Sequence, residues 1–216
     1  MSIDADHLAA RLGETISSTP GAGADGMGWL WSALLRELAR GRPVTVEDLT
    51  RVTGRGVAEV RAGLGGLSDT EYDETGAVLG HGITLRETPH RFTVDGQVLY
   101  TWCALDTLIF PTVLDRPAHV VSPTPGTGEL VRLSVDPAAG VTELDPDTAV
   151  VSVLIPDPGV GVRSAFCNQV HFFATPAAAR DWLTEHPGGV VLGVGEAFEL
   201  SRRLAQDLVG DQPRCC

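Results

Sequence analysis

Arg91-Phe-Thr-Val-Asp-Gly-Gln-Val-Leu-Tyr-Thr-Trp-Cys-Ala-Leu-Asp-Thr-Leu-Ile-Phe110 is the stretch on which the fold turns. Arg91 to Asp95 and Gln97 to Tyr100 flank Asp95-Gly96, a two-residue signal for a tight hairpin, whose central positions take positive φ. Immediately afterwards Trp102, Leu105, Leu108 and Ile109 recur at helical spacing. A hairpin that hands over to a helix predicts an α+β chain. The same spacing puts Cys103 and Asp106 one turn apart and facing the same way, so a thiol and a carboxylate can touch one ligand.

Downstream, His119-Val-Val-Ser122, Leu130-Val-Arg-Leu-Ser-Val135 and Ala149-Val-Val-Ser-Val-Leu-Ile155 alternate or run apolar between Pro, Gly and Asp breaks. They predict a small, mostly antiparallel sheet. Cys167 opens a further predicted strand over Gln169 to Phe173. Pro176 then starts a helix through Ala178, Trp182 and Leu183 that ends at Pro187-Gly-Gly189, and Glu196 to Leu208 supplies a last amphipathic helix. Upstream, the spacing of Leu30, Ala33, Leu34 and Leu38 predicts a helix stopped by Gly41 and Pro43. Thr45 with Asp48 forms a capping box for a second helix over Val46 to Val52, and a third spans Val57 to Leu67. Glu71 to Leu79 and Gly82 to Arg86 read as a strand and its return, with a turn near Asp73 to Gly76. Three helices and a hairpin outline a winged helix.

The chain therefore divides into an N-terminal helix (Asp4 to Ile16) and flexible linker over 1–28, a winged-helix-like domain over 29–88, a sheet domain flanked by helices over 89–209, and a mobile tail over 210–216 that ends in Cys215-Cys216. At 216 residues and 43% hydrophobic it can bury a real core. A net charge of -12 argues against a general nucleic-acid or anionic-membrane binder, whose affinity rests on basic residues. All 16 basic residues are Arg, which reflects genome composition and carries no chemistry. The third predicted helix offers only Arg55 and Arg61, with Gly63, Gly65 and Gly66 in its second half, so the winged helix reads as a packing module and not as a reader of bases. An acidic N-terminus, and no apolar run near the roughly 20 residues of a membrane span, predict a cytoplasmic protein.

Four cysteines in such a chain do not form a disulfide framework, because the cytoplasm keeps thiols reduced. Cys103 and Cys167 each sit in a dense apolar run, where a cysteine is commonly a small buried hydrophobe. A zinc site of Cys103, Asp106, Cys167 and His171 is an alternative, although neither internal cysteine has the near partner that structural zinc usually shows. His171 also reads as a hydrogen-bonded core histidine.

Trp102-Cys-Ala-Leu-Asp-Thr-Leu-Ile-Phe-Pro111, with Phe166-Cys167 and Val170-His-Phe-Phe173, resembles the two signature segments of the organomercurial (alkylmercury) lyase family. The resemblance runs from about Trp29 to Leu208 and includes Leu34-Leu-Arg-Glu-Leu-Ala-Arg-Gly-Arg-Pro43, Ser68-Asp-Thr-Glu-Tyr-Asp73 and Gly82-Ile-Thr-Leu-Arg-Glu-Thr88. It implies that residues 89–209 are catalytic and that the trio is Cys103, Cys167 and Asp106. Asn168 stands where many members have another cysteine, and His119 to Gly128 lacks a cysteine that some members carry. Neither departure touches the trio.

What the resemblance implies is protonolysis of a carbon–mercury bond. Hg(II) is soft and prefers thiolates, so Cys103 is expected to capture R–Hg and Cys167 to add as second ligand. Asp106 is expected to carry the proton to carbon and to offer an oxygen to the product ion. Tyr100, Trp102, Phe166 and Phe172 are candidates for a dry substrate lining, though each taken singly reads more readily as an ordinary core aromatic. No organic cofactor is expected. External low-molecular-weight thiols would serve turnover, and a mercuric reductase would take the product. The Cys215-Cys216 pair could collect substrate or hand on Hg(II). The alternative function is a mercury-responsive DNA-binding regulator.

Overall fold

The computed structural model describes residues 8, 11, 12, 28–155, 163 and 166–209. The expected linker up to Met27 and the tail with Cys215 and Cys216 lie outside them, as does most of the expected first helix. Leu8, Arg11 and Leu12 are helical, and Leu8 and Leu12 are buried in the main core, which is what an i, i+4 apolar pair predicts.

From Gly28 onward three helices come first: α1 (Gly28–Leu38), α2 (Val46–Thr53) and α3 (Val57–Gly66). Leu30, Trp31, Leu34, Leu35 and Leu38 form the buried stripe of α1. The Thr45 side chain accepts the Asp48 N–H at 3.1 Å, and Asp48 accepts the Thr45 N–H at 3.2 Å, so the capping box read from sequence starts α2. Gly54, at φ 69, ends it in the left-handed conformation.

Eight antiparallel strands follow: β1 (Glu71–Tyr72), β2 (Val78–His81), β3 (Ile83–Thr84), β4 (His90–Val94), β5 (Gln97–Thr101), β6 (Ala118–Pro123), β7 (Leu130–Asp136) and β8 (Gly140–Asp145). They form one sheet in the order β1-β2-β3-β5-β4-β6-β7-β8. The sheet is larger than expected and crosses the boundary at residue 88, since Ile83 and Thr84 of β3 pair with Thr101 and Tyr100 of β5. The strand expected over Gly82 to Arg86 is cut to β3, and the return from the Asp73 turn is made by β2, after which the chain reverses again at Gly82. Gly82 has φ 80, and a Cβ there would lie 2.5 Å from the Phe110 ring, so no other residue fits the reversal. Asp95 and Gly96, at φ 48 and 77, make the predicted two-residue turn between β4 and β5.

Helix α4 (Ala104–Leu114) leaves β5 directly. It is apolar nearly all round and buried accordingly, packed against α6 (Val194–Val209) and against the sheet. A second sheet, ordered β10-β9-β11, holds β9 (Val150–Val153) between β10 (Phe172–Phe173) and β11 (Val190–Gly193), with α5 (Arg180–Glu185) after β10. The expected strand from Gln169 is thus cut to two residues. Cys167–Gln169 forms a 3-10 turn, held by the Gln169 N–H donating to Phe166 O at 2.9 Å and the Val170 N–H to Cys167 O at 3.2 Å. The helix expected from Pro176 begins only at Arg180. Among the described residues no helix is long and apolar enough to cross a membrane.

Candidate active site

Cys103 is the N-cap of α4, in extended conformation at φ -147, where β5 ends and the helix begins. Its backbone N–H donates to Asp106 Oδ2 at 3.1 Å, and the Asp106 N–H reaches back to the Cys103 side chain. A thiol thus occupies the place that Ser or Thr takes in an ordinary capping box, with the carboxylate as its reciprocal partner. The positive end of the helix dipole favours a negative charge there.

Cys167 arrives from far along the chain on the 3-10 turn. The Ala104 N–H donates to Val170 O at 3.1 Å and so ties the start of α4 to the end of that turn. Ser152 of β9 clamps the turn from the other side: its hydroxyl donates to Gln169 O at 3.0 Å and accepts the His171 N–H at 2.9 Å. His186 Nε2 meets Gln169 Oε1 at 2.7 Å and adds a third brace.

These supports bring the Cys103 and Cys167 sulfurs and an Asp106 oxygen within 4.8 Å of one another. Cys103 is fully buried, Cys167 is 4% exposed and Asp106 is half-buried, so the carboxyl is the most accessible of the three. Among the described residues this is the group of His, Cys, Asp and Glu side chains able to hold a metal ion. His171 is not part of that group, so the four-residue zinc site is not formed among the described residues; its ring stacks on His90 at 6.3 Å.

Burial raises Asp106 from the usual 3.8 to about 7, against the hydrogen bonds from Cys103 and the positive charge of Arg163. Cys103 is raised well above the ordinary thiol range, first by burial, then by its hydrogen bond to Cys167 and the nearby carboxylate. On Cys167 that same hydrogen bond pulls downward and burial pushes upward, with a net rise. Cys167 is therefore the thiol whose neighbours, Cys103 and Arg163, favour its thiolate.

The four aromatic candidates separate. Trp102 is half-buried next to Cys103, with its indole N–H donated to Glu71 Oε1 at 3.1 Å and its ring edge-on to His81 at 5.4 Å. Phe166, next to Cys167, is buried. Tyr100 is half-buried in β5, paired with Arg91 and Thr84, and Phe172 is fully buried with His90 as its ring neighbour at 6.4 Å. Sequence reasoning missed Arg163, whose guanidinium stands 4.6 Å from the centre of the Trp102 ring, and Glu71, which binds it. The available signal was modest: Arg163 is the lone arginine between Arg132 and Arg180, four residues before Cys167.

Residues 83–206 match the alkylmercury lyase family, and residues 7–82 match the helix-turn-helix domain of alkylmercury lyase. An alkylmercury lyase of Streptomyces lividans is 53% identical over 217 residues, covering 100% of both chains. One from Bacillus cereus is 47% identical over 219 residues, covering 100% of this chain and 99% of the relative, and one from Pseudomonas putida is 42% identical over 212 residues, covering 98% and 99%. The mercury-bound form of MerB2 superposes with a TM-score of 0.76 over 94% of this chain and 99% of that one, at 22% identity, a likeness of fold.

Proposed function

The chain belongs to the alkylmercury lyase family, and from that premise we propose that Cys103, Cys167 and Asp106 perform the carbon–mercury protonolysis. The protein is an organomercurial lyase; the regulator alternative is set aside, because whole-length relatives are alkylmercury lyases and its helix-turn-helix segment matches that of the same enzymes. The observation that carries the assignment of residues is the convergence of two thiols and a carboxyl oxygen within 4.8 Å.

A substrate R–Hg–X, with X a small thiolate or halide, exchanges X for a cysteine sulfur, and the proton of that thiol leaves with X. The expectation from the sequence placed this first capture on Cys103, with the order of thiol attack left open. The hydrogen bond that Cys103 donates, together with Arg163, favours Cys167 instead, since the nucleophile is the thiolate. The remaining thiol passes its proton to Asp106 and binds mercury as a second thiolate, which pushes electron density through the metal onto carbon. Asp106 then delivers the proton. The electron pair of the carbon–mercury bond becomes the new C–H bond, R–H departs, and Hg(II) stays on two sulfurs with a carboxylate oxygen in reach. No electrons are gained or lost, so this chemistry calls for no redox cofactor.

Two external thiols would remove Hg(II) as a dithiolate and return both protons to the cysteines. A mercuric reductase is the fitting acceptor of that product, and the reducing cytoplasm the fitting compartment for two thiols that must stay reduced. Trp102 and Phe166, adjacent in sequence to the two cysteines, supply apolar surface for R; Tyr100 and Phe172 lie one step further out.

Gas chromatography of benzene released from phenylmercury with excess thiol tests the assignment. Turnover that collapses in each of Cys103→Ala, Cys167→Ala and Asp106→Ala supports it. Sustained benzene release from any one of them refutes that residue's role.

A further inference from the structure

Glu71 is a buried carboxylate that the mechanism does not use, and such a group needs partners to stay charged. Its side chain is 8% exposed. Oε2 accepts the Thr84 hydroxyl at 2.6 Å; Oε1 accepts the Trp102 indole N–H at 3.1 Å and meets Arg163 Nη1 at 2.6 Å. Arg86 Nε lies further off, at 3.9 Å. Room for this cluster is kept by a glycine: a Cβ on Gly80 would fall 2.8 Å from Glu71 Oε2 and 2.6 Å from Thr84 Cβ. Two residues earlier, Asp69 Oδ2 accepts the backbone N–H of Arg163 at 3.4 Å. The stretch 69–71, at the end of the segment that matches the helix-turn-helix domain, thus grips residue 163 by both backbone and side chain.

We propose that Glu71 is a positioning residue of the catalytic centre, holding Arg163 and the Trp102 indole as one cation–aromatic pair beside the thiols and Asp106. The inference rests on the assignment of Cys103, Cys167 and Asp106 given above. Glu71 does not touch the reacting atoms. It orients two groups set beside the trio: Trp102 precedes Cys103 directly, and the charge of Arg163 acts on both Asp106 and Cys167. Bidentate-capable, planar Arg stacked on an indole keeps a fixed place only while a carboxylate holds its edge. Freed from Glu71, the Arg163 side chain, 35% exposed, gains solvent as a competing partner. The module read as a packing unit would then furnish part of the active site.

A double-mutant cycle on single-turnover benzene release from phenylmercury tests this. Glu71→Gln keeps an oxygen to accept the Trp102 indole N–H and an amide N–H to donate to the Thr84 hydroxyl, but removes the ion pair; Arg163→Gln removes the other partner. We expect each to slow release by about tenfold, and the double variant to be no slower than Arg163→Gln, as coupled residues behave. Independent, multiplying losses, or an unchanged rate in Glu71→Gln, overturn the positioning role even though the trio variants remain dead. Should Glu71→Gln fail to fold, Arg163→Gln alone decides, since that side chain is partly exposed: an undiminished rate refutes the proposal. Survival of activity in the trio variants would instead remove the assignment on which the inference stands.

Discussion

Asp106→Asn should abolish turnover and at the same time stabilise the fold, and only above mildly acidic pH. Asp106 is raised from 3.8 to about 7, mainly by burial. Below pH 4 the carboxyl is neutral both folded and unfolded, and it contributes its full stability. Between pH 4 and 7 the unfolded chain ionises it while the folded chain keeps its proton, so stability falls as pH rises; above 7 the loss is constant. A rise from 3.8 to about 7, at about 1.4 kcal/mol per pH unit, gives about 4 kcal/mol as an upper bound, and the partial exposure of the residue reduces this to about 2–4 kcal/mol. Asn removes the ionisation but keeps an oxygen to accept the Cys103 N–H, so the cap of α4 survives. With about 2–4 °C per kcal/mol for a chain of this size, the variant should melt about 5–15 °C above the wild type at pH 8 and level with it at pH 4. Thermal melts of both proteins across that range read the difference directly. A gap that does not vary with pH, or a less stable variant at pH 8, would refute the account of Asp106 as a carboxyl driven up by burial.

The order of thiol attack has its own readout. Stopped-flow displacement of a chromophoric thiol from phenylmercury should be slowed by about tenfold or more in Cys167→Ala and less in Cys103→Ala; the reverse ranking would restore Cys103 as the first nucleophile. His81 provides a pH effect of opposite sign. Burial lowers it from 6.5 to about 4, so its contribution is complete above 6.5 and is lost as pH falls toward 4. His81→Asn, which keeps a partner for Thr70, should lose up to about 3 kcal/mol less than the wild type between pH 7 and 4; parallel denaturation curves for the two proteins over that range would contradict it.

What could be read from sequence was local. Cys103 and Asp106 are three residues apart, Thr45 and Asp48 likewise, and Asp95-Gly96 is a turn by itself, so each announces its geometry within one helical turn or one hairpin. The turn that carries Cys167 does not. Its apolar run satisfies a strand pattern, but its backbone groups are taken by the Ser152 hydroxyl and by 3-10 bonds. Strand β8 was missed because it is an edge with no buried alternation, polar along most of its length. Strand β11 lies directly against the Pro187-Gly-Gly189 break and gave no period of its own. Glu71 and Arg163 meet only through tertiary structure, and an isolated Glu or Arg carries no local signal. The sheet that crosses residue 88 has the same cause: pairing of β3 with β5 is a long-range choice, while the change of pattern at Pro89 is a local one.

Burial of the trio has a consequence for how the reaction keeps its proton. Both thiols are pushed up by their surroundings, so at neutral pH the resting site stores protons on sulfur. A soft cation displaces those protons on binding, since only the thiolate ligates well. In water each proton would be lost to solvent, and the carbanion-like carbon would compete for it against a vast excess of buffer. In the mechanism proposed above, the second proton leaves a fully buried sulfur within 4.8 Å of the Asp106 carboxyl, which is raised to about 7. A group of that affinity takes a proton from a mercury-bound thiol readily and still parts with it to a strongly basic carbon. On that proposal, the same burial that makes Cys103 a poor nucleophile in the empty site conserves the proton that breaks the bond, and the metal itself supplies the ionisation that burial withholds.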